Sequence, residues 1–295
     1  MTTTHAPGEL VRTVGSATTV GALVTESRTV TLSPGAVVGF TVDATRWCLG
    51  VPSLDGDDVP CPDGTTVTRG RRCPRCTESD PWRWLHIVHR SRYPPEPALR
   101  EHVMRPHWLY VATFAGGAHK VGTAVDDRKH ARLDEQGALV AHWIGLATDG
   151  IEVREWEDRV STVSGIGQVV RPAAKVAGLA GPVSPAAVVR QHAETVARAR
   201  QVLADVPGAE PLAEPWPNPR DPETLTGLTL RPYPGSLDDG SHGFTVEACW
   251  GPVGLVRLHG DPDSTWAVDL SALVGHRIRF GDHVTEVPQL QDSLF

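Results

Sequence analysis

Four of the five cysteines in this 295-residue chain, Cys48, Cys61, Cys73 and Cys76, fall within 29 residues. The stretch from Gly50 to Asp80 that carries most of them is rich in glycine, proline, aspartate and arginine. It has too few apolar side chains to bury a core, so something besides hydrophobic packing has to hold it. Cys73-Pro74-Arg75-Cys76 is a C-x-x-C knuckle, which sets two sulfurs on one tight turn where both face a single ion. Cys48 and Cys61 would complete a tetrahedral, closed and therefore structural zinc site. In small modules such a site supplies roughly 10–16 kcal/mol of apparent folding energy. The same spacing also admits four unrelated thiols, or a redox pair at Cys73 and Cys76. His86 and His89 are spare candidates for a ligand position. Cys249 stands alone and reads as a small buried apolar residue.

An odd number of cysteines, four of them clustered, is not the layout of a disulfide-stapled secreted domain. Met1–Leu10 has no basic segment followed by an apolar stretch, and no run approaches the ~18 apolar residues of a membrane span. A cytoplasmic protein with no membrane contact is expected. With 29 glycines and 25 prolines, the chain should be built of short elements and many turns.

The expected fold is α+β in four parts. Residues 1–105 form a β-rich module with the four-cysteine zinc site, and 106–206 a small sheet with helices and a trailing helix. Residues 207–225 form a Pro-rich linker, and 226–295 a small antiparallel β-domain, barrel or sandwich. Ala22–Val24, Thr29–Leu32 and Val37–Val42 read as strands. Trp108–Phe114 and His119–Thr123 read as a hairpin turning at Gly116-Gly117. Asp127–Gln136 has helical character, capped by Asp127 and ended by Gly137, whose place needs positive φ. Ala138–Ala147 is β-compatible, and Gly150–Val160 is a helix with Val153, Trp156 and Val160 on one face. Ser184-Pro185 starts a further helix running to about Val206. Leu228–Pro232, Gly243–Ala248, Gly254–Leu258, Trp266–Asp269 and His276–Phe280 follow as strands.

The net charge of −7 argues against a nucleic-acid partner, but the charge is uneven. Thr66–Trp108 holds nine arginines against four acids, a local balance of +5 that leaves −12 for the rest. It contains no lysine, and arginine suits bidentate phosphate contacts better. Arg71, Arg72 and Arg75, beside the knuckle, are therefore candidate contacts to DNA or RNA. The competing reading is a solvated face balanced by acids elsewhere in the fold.

Pro106-His107-Trp108-Leu109-Tyr110, Lys120-Val121-Gly122 and Arg132-Leu133-Asp134-Glu135-Gln136-Gly137-Ala138, together with the upstream cysteines, resemble a bacterial family of uncharacterised proteins, domain-of-unknown-function family 2797. Over residues 107–161 the chain also resembles a degenerate GIY-YIG nuclease domain. Trp108-Leu109-Tyr110 stands at the first triplet, Lys120-Val121-Gly122 at the second, and Glu152–Val160 at the glutamate helix. The departures are Trp108 for a glycine and Lys120 for the second tyrosine. Arg128 and Arg132 compete for the arginine position, and the first family's signature favours Arg132.

The resemblance implies a metal-dependent phosphodiesterase. Tyr110 would be the base, Lys120 a phosphate contact, Arg132 the stabiliser of developing charge, and Glu157 the ligand of Mg²⁺ or Mn²⁺. His107 and Gln136 are further candidate substrate contacts. The alternatives are a non-catalytic binding or scaffold protein, or an enzyme acting on a small phosphorylated or nucleotide-like substrate. There is no H-E-x-x-H, P-loop or dinucleotide fingerprint to support another class.

Overall fold

The computed structural model describes residues 8–17, 20–54, 58–91, 97–228 and 230–287. Four strands open the chain: β1 (Glu9–Ala17), β2 (Val20–Thr25), β3 (Thr29–Leu32) and β4 (Val37–Arg46). The cysteine-bearing loop follows, with a short helix α1 (Pro74–Glu78), a 3-10 turn (Leu85–Arg90) and α2 (Pro97–Val103). The middle of the chain contains β5 (His107–Thr113), β6 (His119–Val125), α3 (Lys129–Gln136), β7 (Val140–Ala147) and α4 (Gly150–Ser164). After it come α5 (Pro172–Ala180), α6 (Pro185–Ala204) and the two-residue strand β8 (Glu214–Pro215). The last strands are β9 (Leu230–Pro232), β10 (Gly240–Trp250), β11 (Val253–Leu258), β12 (Asp261–Asp269) and β13 (His276–Phe280).

These strands form two sheets, so the molecule is α+β. The larger has nine strands in the order β3-β2-β1-β13-β4-β10-β11-β12-β9. Strand β1 bends between partners: Glu9 and Leu10 pair with β13, and from Val11 onward it pairs with β2 across a register shift. Such an irregularity lets a sheet curl, and this one closes on its own core of Leu10, Leu23, Leu32, Phe40, Val256 and Ile278. Gly21 shows how tightly the curl closes, because a Cβ there would lie 2.4 Å from the sulfur of Cys249. Cys249 is buried, as expected of a small apolar residue.

This sheet differs from the expected separate N- and C-terminal β modules. Strand β13 lies between β1 and β4, and β4 also pairs with β10, so both ends of the chain build one sheet. The reason is physical. Alternation along a strand shows which face is buried but not which strand satisfies its free N–H and C=O groups.

The smaller sheet, β6-β5-β7-β8, is antiparallel throughout. Its middle strand β5 is buried along its whole length. Leu109 and Val111 face α4 and α6, packing with Val153, Trp156, Val160 and Leu203. Trp108, Tyr110 and Ala112 face the other way, with Leu133 of α3, Trp143 and Trp216. The expected Pro-rich linker supplies part of this face. Trp216 is buried, its backbone N–H bonds to the Ala141 carbonyl, and Arg220 forms a buried ion pair with Asp134 of α3. Residues 207–225 are thus a packed strap, because their few apolar side chains have a groove to fill.

Candidate functional sites

The four-cysteine loop is drawn together as its spacing predicts. The sulfurs of Cys48, Cys61, Cys73 and Cys76 all lie within 4.8 Å of one another. Those of Cys61 and Cys73 are 4.0 Å apart. A tetrahedron with Zn–S bonds of about 2.3 Å places its sulfurs ~3.8 Å apart, so the set can hold zinc after small adjustment. The Cys48 sulfur accepts backbone N–H bonds from Gly50 and Cys73, at 3.4 and 3.2 Å, the usual support for a thiolate ligand. The Thr65 backbone N–H holds the Cys61 thiol down at about 6, while burial pushes Cys48 and Cys76 up. A bound cation would reverse the upward shifts, since a coordinating thiol is deprotonated. His86 and His89 are not needed: His89 Nε2 lies 2.8 Å from Asp158, and His86 opens onto a different cleft.

The arginines around this loop are largely spoken for. Arg72 donates to the Gly50 carbonyl and pairs with Asp80, while Arg75 pairs with Asp63. Arg90 and Arg105 reach acids of the middle region, Asp158 and Asp127. Arg71 is exposed. The local excess of +5 expected from sequence is therefore met in part by acids from elsewhere in the fold.

A second site forms around Tyr110. Its ring is fully buried, and its hydroxyl accepts a hydrogen bond from Gln136 Nε2 at 2.7 Å. Lys120 Nζ donates to Gln136 Oε1 at 3.0 Å and stands 5.6 Å over the Tyr110 ring. Gly122, paired opposite Tyr110, is needed here, because a Cβ would lie 2.5 Å from the tyrosine hydroxyl. The next position along α3, Gly137, caps the helix in the left-handed region at φ 70°. It meets the Trp250-Gly251 turn of the large sheet at backbone distance. The Gln-Gly-Ala signature thus holds one polar contact and one close packing contact in adjacent residues.

Positive charge collects here. Lys175, from α5, donates to the Gln136 carbonyl at 2.7 Å, and burial, then Lys120 and Arg132, lower it to about 8. Arg132 is exposed and faces a cleft of about 360 Å³ at the β6 edge, which Arg128 and Arg154 also line. Arg128 is paired with Glu135. Burial, then Arg154, Arg132 and Lys120, lower the His86 imidazole at the cleft mouth. His107 is buried and lines the same cleft.

Glu157, across the sheet edge on α4, is only 4% exposed. Its carboxylate accepts from Arg154 at 2.6 Å. Burial raises its pKa, and Arg154 and Lys120 oppose that rise. A lone buried carboxylate already neutralised by a guanidinium does not fit a hard divalent cation, which wants several oxygens. Among the described residues the four cysteines are the group of metal-ligating side chains drawn together. Mg²⁺ or Mn²⁺ at Glu157 therefore finds no support in these residues.

Sequence reasoning named Tyr110, Lys120, Arg132 and Gln136, but not Lys175 or the cleft role of Arg154. Lys175 lies 39 residues from the carbonyl it binds, so no local spacing points to it. Arg154 stands within the Glu152–Val160 stretch, but its place at the cleft depends on how α4 packs. No family model, no curated protein and no solved structure matches the chain.

Proposed function

We propose that the protein is a zinc-stabilised nucleic-acid-binding protein whose phosphate contacts lie at the β6 edge. The observation that carries this reading is the convergence of Lys120 and Lys175 on Gln136, beside a cleft lined by Arg132 and by Arg154, which pairs with Glu157. With Arg128 and Arg154 paired to Glu135 and Glu157, Arg132 and the neighbouring Lys120 and Lys175 leave a local positive excess in a chain whose net charge is −7, which suits an anion. Arginine and lysine together suit phosphate oxygens. The cysteine site orders the loop that leads into the cleft's roof, and the resemblance to the GIY-YIG domain fits the middle strand bearing Tyr110.

The test is gel-shift binding of labelled DNA and RNA at low ionic strength by the zinc-loaded protein and by Arg132→Ala. Binding that the variant weakens several-fold supports the reading; no binding at low salt removes it. A second reading, phosphodiester cleavage, rests on the Tyr110 hydroxyl, which accepts from Gln136, itself bonded to the Lys120 ammonium. Incubating the same substrates with added Mg²⁺ or Mn²⁺ decides between the two. Cleavage lost in Tyr110→Phe makes the site hydrolytic, and intact substrate leaves it a binding site.

A further inference from the structure

The cleft at the β6 edge has two unlike walls. One is aromatic: Trp82 meets His102 edge-on at 4.8 Å, and His102 meets His107 edge-on at 5.7 Å. The other is charged, with the exposed Arg132, the Arg128–Glu135 ion pair, and Arg154, which also pairs with Glu157. A simple phosphate would need only the second wall, and an apolar ligand only the first. Aromatic rings and guanidinium groups lining one cleft are complementary to a flat base joined to a phosphate. The volume, about 360 Å³, is on the scale of one nucleotide.

One buried group gives the aromatic wall direction. His107 Nδ1 lies 2.7 Å from the Arg105 carbonyl. That oxygen can only accept, so Nδ1 carries the proton and Nε2 is left as an acceptor. Burial lowers the imidazole's pKa, which keeps it uncharged near neutrality. Gly150, the first residue of α4, lines the cleft beside it, and a Cβ there would lie 3.3 Å from His107 Nε2. The glycine thus lets the start of α4 pack closely against the edge of this ring, which fixes its orientation. Outside the cleft, Trp84 is 52% exposed with the Arg83 guanidinium 4.8 Å over its ring. This is the composition of a stacking platform for a neighbouring base.

We propose that the cleft takes one unpaired nucleotide of a single strand, its base against the Trp82–His102–His107 wall and its phosphate at Arg132 and Arg154. This rests on the nucleic-acid reading above and narrows its substrate to unpaired strands, because in a duplex the base edges are stacked and paired away from such a pocket. The experiment is fluorescence anisotropy with the full-length zinc-loaded protein and labelled single-stranded DNA, single-stranded RNA and duplex DNA of equal length at low salt. Single strands should bind about ten-fold more tightly than duplex. His102→Ala and Trp84→Ala, whose side chains are not deeply buried, should each weaken single-strand binding by about five-fold and leave duplex binding unchanged. His107→Phe should act in the same direction, and the two more exposed substitutions decide the matter if it fails to fold. Duplex binding equal to or tighter than single-strand binding, or single-strand binding indifferent to both exposed variants, overturns the inference and leaves the nucleic-acid reading standing. No binding of any strand overturns both. The DNA and RNA arms identify the preferred sugar.

Discussion

Among the described residues between Cys48 and Asp80 the chain buries little beyond Leu49 and three cysteines, whereas the middle region buries an apolar layer on each face of one sheet. In the first region four converging thiols that could hold a metal ion, with backbone bonds such as Leu49–Arg71 and Val51–Val59, stand where an apolar core would be. In the second the apolar layers are the structure, and the polar chemistry of Tyr110, Lys120 and Gln136 is mounted on them. The two regions should therefore fail in different ways, and that difference can be measured.

The largest effect is expected from removing the metal. Elemental analysis should find one zinc per chain. Chelation, or Cys73→Ser, should forfeit a large part of the ~10–16 kcal/mol that such sites supply. Limited proteolysis should then cut within 48–80 while the fragments containing the middle sheet persist. Zinc absent from a folded, protease-resistant protein would break the comparison at once. The mirror experiment is Trp156→Ala, which opens a cavity in the apolar layer behind the sheet. It should cost about 3–5 kcal/mol in chemical denaturation and leave the zinc content at its wild-type value.

Acid sharpens the same contrast. His192 is 1% exposed, bonded to Thr113 at 2.8 Å and to His142 at 2.9 Å. Burial, with His142 and His119 nearby, holds it down at about 3. The unfolded chain, with an ordinary imidazole near 6.5, takes up a proton over that window while the folded chain does not. Stability is therefore complete above ~6.5 and is lost as pH falls toward 3, by roughly 2 kcal/mol at pH 5. His192→Gln should flatten this part of the denaturation profile between pH 7 and 5. The smallest effect is on binding. Lys175, held at about 8, loses its charge as pH rises through that value. Nucleic-acid affinity should then fall by a few-fold between pH 7 and 9, and Lys175→Met should remove that dependence in the same anisotropy titration.

The parts of this organisation legible in the sequence were those set by local rules. Thr29–Leu32 and His276–Phe280 are strands with the expected bounds, the hairpin around Gly116-Gly117 is present, and Gly137 takes the left-handed cap. The knuckle cysteines likewise announced their cluster, because ligand spacing is a local property. What depended on distant partners stayed hidden. Asp127 was expected to cap α3, but it pairs with Arg105, and Arg128 occupies the cap position without a side-chain bond. The prolines of 207–225 looked like a linker because nothing nearby showed the groove that Trp216 fills. The arginine excess at 66–108 looked like an open field because its neutralising partners Asp127 and Asp158 lie far along the chain.

The most direct test of the account is the salt dependence of oligonucleotide binding, compared between the wild type and a Lys120→Met/Arg132→Met double variant. Phosphate neutralisation predicts a linear fall of log affinity with log salt, and losing two contacts should reduce the slope by about 1.5. A slope near zero in the wild type, or one the double variant leaves unchanged, would contradict the assignment of phosphate binding to the β6 edge.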